Sequence, residues 1–388
     1  MDKAVEVHPD DRPYAWAEVD LGAIEHNASL LAERARPAQL CAVVKGWAYG
    51  HGTIRAATAA VAGGATWLGV ALVNEATDVR VRGQLSEPIL ILAEPPHRQL
   101  GDVARLDGVR VTLYTAEGIR AAAKAAREVG RDTPLPVHLK VDTGMHRVGA
   151  APQSALHLAE LVTASEGLEL EGLWTHLAAS EDPAHDDYTA RQLQCFDAVR
   201  ERLAAAGIRP PIVHAANSGA VLAHPEARYD LVRCGIALYG IPPRPRMPEA
   251  AGLRPAMALK ARVSYVKRVA AGEPISYGLH HVCEQPTVVA TVPIGYYDGV
   301  PRQLGLVGGE VLVRGVRRRV VGAVTMDQLM VDCDSDESVH IRDEVVLFGS
   351  QGGETISAWE WAERLDTIAY EIVCRVAINR VPRRYLPA

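Results

Sequence analysis

The sequence predicts an α/β TIM barrel in the N-terminal part of the chain and a mostly-β domain in the C-terminal part. Between residues 20 and 240, eight short apolar segments alternate with longer Ala-rich segments whose apolar residues recur at helical spacing. A Pro-rich connector follows at residues 242–245, and the pattern then changes to short alternating runs separated by turns. The length of 388 residues is also sufficient for two domains.

The apolar segments of the first part predict eight parallel strands. Their nearly continuous apolar composition is typical of strands that are covered on both faces. Eight strands that are each followed by a helix form a TIM barrel, while a doubly wound open sheet is the competing architecture. The predicted strands are residues 41–44, 67–71, 89–92, 109–113, 137–141, 172–176, 212–214 and 231–234.

From about residue 259, alternating apolar and polar residues predict a β-domain that ends in one helix near residues 358–365 and a final strand. We therefore expect a barrel domain at residues 15–243 and a β-domain formed by residues 1–14 and 244–388. The predicted strands of the β-domain are residues 261–266, 288–292, 310–313, 320–324, 330–332 and 344–348.

Composition and charge argue against several classes of function. The chain has 41 Lys and Arg against 47 Asp and Glu, and this net charge of -6 argues against a nucleic-acid partner, which needs a clustered basic face. Six Cys residues are scattered without a CxxC pair, so we expect no disulfide framework, no metal site and a cytoplasmic location. The N-terminus lacks the apolar run of a signal peptide, and Gly63-Gly64 divides the uncharged stretch at residues 56–73, so we expect no membrane segment.

The active site of a TIM barrel lies at the C-terminal ends of its strands, so the residues that follow the predicted strands are the candidates for chemistry. Most of them are cationic or imidazole side chains, which would make this end of the barrel strongly electropositive. Such a site would suit an anionic ligand with a phosphate and a carboxylate. These residues are Lys45, Lys140, Arg147, His176, His214 and Arg233.

The loops after the last two barrel strands predict a phosphate site, because barrels commonly bind phosphate there. One loop contains Asn217 and Ser218, and the other contains Gly235 and Ile236. A hydroxyl, small residues and nearby backbone N–H groups form a phosphate cradle, although ordinary turns use the same residue types.

Lys45 follows a buried apolar strand and precedes the Gly-rich residues 46–52. An amine at the end of an apolar barrel can have a lowered pKa and form a Schiff base with an aldehyde, whereas most lysines simply lie at the surface. A Schiff-base lysine beside a phosphate cradle suggests pyridoxal phosphate, although an aldolase-type barrel would show the same two features.

A series of ordered motifs resembles those of the pyridoxal-phosphate-dependent alanine racemases of fold type III. The resemblance extends from about residue 14 to residue 385 and so includes both predicted domains. The motifs are residues 44–52, 140–147, 175–176, 214–218, 233–240, 275–278, 295–299, 326–328 and 380–383.

The resemblance implies a racemase with pyridoxal 5'-phosphate as cofactor and a small amino acid, expected to be alanine, as substrate. Lys45 would hold the cofactor as a Schiff base and act as one acid/base group. Tyr277 of the partner subunit would act on the opposite face, in a homodimer whose active sites are shared across the interface. Racemisation needs two such groups because a planar carbanion loses a proton on one side and gains it on the other. D-alanine would supply cell-wall precursors.

The resemblance also implies roles for the surrounding residues. Arg233 would face the pyridine nitrogen with His214 behind it, and His176 would hydrogen-bond Tyr277. Lys140 occupies a position that is carbamylated in many members, where the new anion orients Arg147. The implied cofactor-binding set also includes Tyr49, Asn217, Ser218, Gly235 and Ile236, and the implied substrate-binding set is Arg147, Met326 and Tyr296.

The sequence departs from the family pattern at a few positions. Gly46-Trp47 stands after Lys45 where Ala and then Asn or Asp are usual, so an indole either reshapes the pocket floor or packs away from it. Thr325 replaces a frequent Cys or Ser, and Asn379 replaces a phosphate-contacting tyrosine of some members. The alternatives are therefore a racemase or decarboxylase of the same fold for a different or bulkier amino acid, such as serine in secondary metabolism, and a non-catalytic pyridoxal-phosphate-binding protein. The β-domain with Tyr277 argues against the latter. The fold-related decarboxylases would lack the motif at residues 276–278.

Overall fold

The computed structural model describes residues 14–387, which form two compact units. Unit 2 comprises Leu21–Arg254, and the described part of unit 1 comprises residues 14–20 and Pro255–Pro387. These bounds differ from the predicted barrel domain at residues 15–243, because residues 15–20 form a strand that pairs with Met257–Arg262 of unit 1. The predicted assignment of residues 1–13 to the β-domain lies outside the described residues.

Strands and helices alternate in unit 2, whereas strands predominate in unit 1. The strands are β1 (Ala15–Asp20), β2 (Gln39–Val43), β3 (Trp67–Val70), β4 (Ile89–Ile91), β5 (Val109–Leu113), β6 (Leu135–Lys140), β7 (Leu168–Trp174), β8 (Ile212–His214), β9 (Leu231–Cys234), β10 (Met257–Arg262), β11 (Tyr265–Val269), β12 (Pro274–Ile275), β13 (His281–Val282), β14 (Thr287–Val292), β15 (Glu310–Val313), β16 (Val316–Val320), β17 (Leu329–Asp332), β18 (Glu344–Gln351), β19 (Glu354–Ile356) and β20 (Arg383–Leu386). The α-helices, apart from a turn at Lys45–Tyr49, are Leu21–Ala35, Thr53–Ala62, Val73–Thr77, Leu100–Arg105, Ala116–Val129, Ala155–Ala164, Asp186–Ala205, Ser218–Ala223, Ala358–Arg364 and Ala369–Arg375.

The strands β2 to β9 form one parallel sheet in the order β8-β7-β6-β5-β4-β3-β2-β9. Sequential strands are neighbours throughout, and β9 returns to pair with β2, so the sheet is a nearly closed barrel of eight strands. This order confirms the predicted TIM barrel and contradicts the doubly wound sheet, in which the strand order would reverse at the middle. Each predicted barrel strand is present, although β2, β6 and β7 begin earlier than predicted.

The main sheet of unit 1 has ten strands, in the order β11-β14-β17-β16-β15-β18-β10-β1-β20, with β19 paired to β18. The predicted strand at residues 261–266 is two strands, because Val263 and Ser264 donate their N–H groups to Asp343 and Thr291 instead of continuing one ladder. The helix predicted near residues 358–365 is present as Ala358–Arg364, and a second helix, Ala369–Arg375, which was not predicted, follows it after Asp366, a residue with φ 52°. The predicted strand at residues 320–324 is wrong in position, because β16 covers Val316–Val320 and pairs with β15. The mostly-β composition of this domain is confirmed.

Burial explains why β1 belongs to unit 1. Trp16, Ala17 and Val19 are buried, and β1 lies between β10, to which it is antiparallel, and β20, to which it is parallel.

Among the described residues, no helix is both long enough and apolar enough to cross a membrane.

Candidate active site

The C-terminal ends of the barrel strands bring together the cationic and imidazole residues predicted from the sequence. Lys45 follows β2, Lys140 ends β6, His214 ends β8 and Arg233 lies in β9. Burial is the main cause that lowers the pKa of Lys140, and the nearby positive charges of Arg233, Arg147 and Lys45 lower it further. Unit 2 therefore contains an electropositive site at the predicted end of the barrel.

Lys45 begins a turn of left-handed backbone. Gly46, Trp47, Ala48 and Tyr49 have φ values of 61°, 54°, 55° and 52°. A non-glycine residue in this conformation costs about 1–2 kcal/mol, so neighbouring contacts must hold the turn. The N–H of Gly46 donates to Oε1 of Glu75 at 2.6 Å, and Ala48 N–H donates to the carbonyl of Val44 at 2.9 Å.

The turn places Tyr49 beside the loop after β9. A Cβ added to Gly235 would lie 2.4 Å from Oη of Tyr49, so only glycine allows this approach. The rings of Tyr49 and Tyr239 are 5.1 Å apart, and Oη of Tyr239 donates to the carbonyl of Val43 at 2.9 Å. Tyr49 and Gly235 are thereby held next to each other, as a phosphate cradle requires.

The hydroxyl of Ser218 lies against the same loop. Its Oγ accepts from the N–H of Gly235 at 3.0 Å and from the N–H of Ala237 at 3.4 Å. Oδ1 of Asn217 accepts from Ala220 N–H at 3.1 Å and from Ser180 Oγ at 2.7 Å, so it caps the helix that begins at Ser218. Small residues, a hydroxyl and adjacent N–H groups at one point fit a phosphate group.

Arg233 is almost completely buried, with 3% of its surface exposed. Its Nη2 donates to the carbonyls of Thr175 at 2.8 Å and Ala215 at 2.9 Å, and to Nδ1 of His176 at 3.4 Å. Its Nη1 donates to Nδ1 of His214 at 2.7 Å. Burial lowers the pKa of Arg233 to about 10, so the guanidinium remains charged at neutral pH and is fixed in one orientation.

Lys140 is buried beside Arg233. Burial, followed by the charges of Arg233 and Arg147, lowers its pKa to about 7. Its Nζ lies 4.3 Å from the centre of the Trp174 ring, and the Arg233 guanidinium lies 4.6 Å from the same ring. A large fraction of the Lys140 amine is therefore uncharged at neutral pH.

Arg147 lies on an exposed loop after β6. Oδ1 of Asp142 accepts from the N–H groups of Gly144 and His146, each at 3.0 Å, and Tyr188 Oη donates to the carbonyl of Gly144 at 2.6 Å. These bonds fix the base of the loop and leave the Arg147 side chain accessible.

Tyr277 lies in unit 1 and is 71% exposed. The preceding residue, Ser276, has φ 67°, and its Oγ donates to the carbonyl of Ala323 at 2.6 Å. A Cβ on Gly322 would meet the carbonyl oxygen of Ile275 at 2.6 Å, so two backbone segments are in close contact here. Tyr277 lines an open cavity of about 720 Å³ with Thr325 and Met330.

Tyr296 and Met326, which the sequence analysis assigned to the substrate, are half-exposed in unit 1. The N–H of Tyr296 donates to the carbonyl of Thr325 at 3.0 Å. Arg380 donates to Asp298 at 2.7 Å and to Asp327 at 2.8 Å, and it thereby ties together the two loops that contain Tyr296 and Met326.

Of the departures from the family pattern that the sequence shows, Trp47 is half-buried and Asn379 is exposed.

The sequence analysis missed three polar residues around the site, of which His138 is buried and Glu171 and Glu75 are partly buried. His138 and Glu171 lie on strands β6 and β7, and Glu75 holds the Lys45 turn. A histidine and a carboxylate inside largely apolar strands are a signal that could have identified the first two.

Across residues 14–387, no group of three or more His, Cys, Asp or Glu side chains is arranged to hold a metal ion.

Both units match the same family of known proteins. Residues 19–243 match the domain described as "Alanine racemase, N-terminal domain", and residues 256–385 match "Alanine racemase, C-terminal domain".

Individual relatives are similar over nearly the whole chain. An alanine racemase of Symbiobacterium thermophilum is 46% identical over 370 residues, which cover 95% of this chain and 96% of that protein. The solved structure of the alanine racemase from Streptomyces coelicolor A3(2) has a TM-score of 0.90 and 39% identity, and covers 98% of this chain and 100% of that one. A solved histidine racemase from Leuconostoc mesenteroides subsp. sake has a TM-score of 0.86 and 29% identity, and covers 98% of this chain and 99% of that one.

Proposed function

The chain belongs to the alanine racemase family, whose cofactor is pyridoxal phosphate, and we propose that it interconverts L-alanine and D-alanine with two acid/base groups. Lys45 acts on one face of the substrate, and the partner subunit's Tyr277 acts on the other. The proposal rests on the presence of both groups: Lys45 at the end of a barrel strand, and Tyr277 on an exposed segment of the β-domain.

The residues at the end of the barrel fit pyridoxal phosphate. The phosphate would be held by Tyr49, Ser218 and the backbone of Gly235 and Ile236. These groups come close together because Gly235 has no Cβ at the point where Tyr49 approaches. Lys45 would hold the cofactor covalently, and Arg233 would face its pyridine nitrogen. When bound, pyridoxal phosphate withdraws electrons from the α-carbon of the amino acid, so that the α-hydrogen becomes acidic.

Arg233 would act as a hydrogen-bond donor that keeps its proton. Its pKa, lowered by burial to about 10, is still well above neutral pH, and arginine has no acceptor atom. The pyridine nitrogen would stay largely unprotonated beside it. Weaker electron withdrawal suppresses side reactions and makes two well-placed acid/base groups more important.

Tyr277 needs a partner, because phenols in general are poor bases near neutral pH. In our proposal that partner is His176. Its Nδ1 accepts from Arg233, so a neutral His176 ring has its proton on Nε2. Burial, and then the charge of Arg233, lowers the pKa of His176 well below its usual value, so the ring is neutral. The Nε2–H group would donate to the phenolic oxygen and stabilise its deprotonated form.

Lys140 would be carbamylated. Carbon dioxide reacts with an uncharged amine, forming an N–C bond and releasing a proton, and the lowered pKa of about 7 makes the amine available. The resulting carbamate would place a negative charge near Arg147 and Arg233. It would orient Arg147 toward the substrate carboxylate, where the backbone N–H of the partner's Met326 and the side chain of the partner's Tyr296 would also lie.

The assembly in this proposal is a homodimer, because each site needs Lys45 from one chain and Tyr277 from the other. We also propose a cytoplasmic location, which the six free cysteines support, since a reducing compartment keeps thiols free. D-alanine for cell-wall precursors would be the metabolic product.

A racemisation assay with L-alanine, L-serine and L-histidine tests the substrate. We expect the highest kcat/KM for alanine. The competing function is racemisation of a bulkier amino acid, which the similarity to a histidine racemase and the unusual Trp47 favour. Faster racemisation of serine or histidine would establish that alternative, and no racemisation of any of the three would contradict both.

A further inference from the structure

A continuous row of hydrogen-bonded side chains lies inside the barrel of unit 2. His214 Nε2 is 2.8 Å from His138 Nδ1, and His138 Nε2 is 2.9 Å from Glu171 Oε2. Glu171 also accepts from Arg110 Nε at 3.1 Å and Nη2 at 3.2 Å. With the 2.7 Å bond from Arg233 to His214, these contacts form what we call the polar row: Arg233, His214, His138, Glu171 and Arg110.

Arg233 and Glu171 determine the direction of every hydrogen bond between them. Arg233 can only donate, so Nδ1 of His214 accepts and the His214 proton lies on Nε2. The Nε2–H group of His214 donates to Nδ1 of His138. The proton of His138 therefore also lies on Nε2 and points at Glu171. A carboxylate can only accept, so the other end of the row requires the same tautomers.

The protonation states agree with this arrangement. Burial is the main cause that lowers the pKa of both His138 and His214, so each ring is neutral and has one proton. Burial acts to raise the pKa of Glu171, but hydrogen bonds and charges from His138 and Arg110 lower it overall, so Glu171 is ionised.

Aromatic rings confine the two imidazoles from the side. Trp174 stacks on His214 with ring centres 5.4 Å apart, and Trp67 meets His138 edge-on at 5.6 Å. The row is thus fixed along its length as well as at its ends.

We propose that His138, Glu171 and Arg110 are positioning residues for the racemase: they hold His214 in the tautomer that accepts from Arg233 and so orient the guanidinium toward the pyridine nitrogen. This inference rests on the proposed function for the role of Arg233. If both histidines had the opposite tautomer, the Nδ1–H group of His214 would face an N–H group of Arg233. The guanidinium would then turn away, even though Arg233 itself and its backbone partners are unchanged.

Glu171→Gln is the most informative variant. In this variant the amide oxygen would accept the hydrogen bonds from Arg110, because arginine can only donate. The amide NH₂ would then point at Nε2 of His138. With Arg233 donating to His214 and the amide NH₂ facing His138, the two neutral imidazoles cannot satisfy both donors, so one contact becomes a donor–donor conflict. Glu94→Gln is the matched control, since Glu94 is another barrel carboxylate but accepts from Tyr114 and Thr115 outside the polar row.

The first readout is ¹⁵N NMR of the full-length, cofactor-free protein labelled only at histidine. We expect His138 and His214 of the unmodified protein to be protonated at Nε2 and unprotonated at Nδ1. In Glu171→Gln we expect at least one of them to show two tautomers, and Glu94→Gln should match the unmodified protein. Glu171→Leu, which removes the acceptor and adds no donor, should also show mixed tautomers if Glu171→Gln does not fold.

The second readout is the kinetics of the cofactor-loaded enzyme. We expect Glu171→Gln to lower kcat by about tenfold with KM changed less than twofold, as for other residues that orient a ligand-binding group. Glu171→Asp should recover part of kcat. Protonated Nδ1 in the unmodified protein, or Glu171 variants indistinguishable from Glu94→Gln in both readouts, would overturn the inference. Because the NMR readout needs no catalysis, it also separates this outcome from failure of the proposed function.

Discussion

The Cβ position of Gly235 lies 2.4 Å from the phenolic oxygen of Tyr49, a distance at which no side-chain carbon fits. Tyr49 ends the left-handed turn after β2, and Gly235 follows β9, so this contact joins the first and last strands of the barrel. It is also where the phosphate would be bound.

Gly235→Ala is therefore expected to weaken cofactor binding. The new methyl group must displace the Tyr49 ring, and the resulting loss of contacts should reduce the affinity for pyridoxal phosphate by about tenfold or more, which corresponds to about 1.4 kcal/mol. Equilibrium titration of the cofactor-free protein measures the affinity. Gly101→Ala is the control, because its Cβ would meet only the end of Arg105, at 3.5 Å. Equal affinity of the two variants would show that the contact does not shape the phosphate site.

Lys45→Ala should abolish covalent cofactor binding and racemisation, because Lys45 is the amine at the end of β2. Borohydride reduction of the loaded protein, followed by peptide mapping, should place the cofactor on Lys45. Lys260→Ala is the matched control, because Lys260 lies in unit 1, where it pairs with Glu18 at 2.8 Å. This variant should leave the labelling of Lys45 unchanged. Label on Lys140 or Lys260 in the unmodified protein would refute the assignment.

Stability of the cofactor-free protein should fall as the pH drops below about 6.5, the usual pKa of histidine. His138, His176 and His214 have lowered pKa values in the folded state, so the unfolded chain binds more protons in this range. The free energy of unfolding should then decrease by up to about 1.4 kcal/mol per pH unit for each such histidine. Urea unfolding between pH 5 and 8 measures the slope, and a stability that is constant or rises toward pH 5 would show that these rings are charged when folded.

Mixing inactive Lys45→Ala and Tyr277→Phe proteins should restore part of the activity after subunit exchange. One of the two sites in a hybrid dimer then has both Lys45 and Tyr277, while the other has neither. Mass spectrometry of differently labelled subunits verifies the exchange. If hybrids form and remain inactive, each site must take both residues from one chain.

Much of the fold was predictable because the barrel strands are short, apolar and regularly spaced. The position of Lys45, Lys140 and Arg233 at one end of the barrel was predictable because they follow, end or lie near the end of such strands. The strand β1 was not predicted, since its partners are more than two hundred residues away in the chain. Such distant pairing leaves no local signal.

Other features depend on three-dimensional contacts. The left-handed turn contains Trp47, Ala48 and Tyr49, which have little intrinsic preference for that backbone, so only contacts such as that from Glu75 explain it. The tautomers of His138 and His214 likewise follow from which atoms meet inside the barrel, and a one-dimensional pattern contains no such information.

Exchange of the α-hydrogen with solvent deuterium in Tyr277→Phe tests the two-base mechanism most directly. The variant should bind the cofactor normally and lose most racemisation. It should still exchange the α-hydrogen of the one alanine enantiomer whose hydrogen faces Lys45, and exchange of the other enantiomer should be lost. Equal loss of exchange from both enantiomers, or full retention of racemisation, would contradict the assignment of Tyr277 as the second acid/base group.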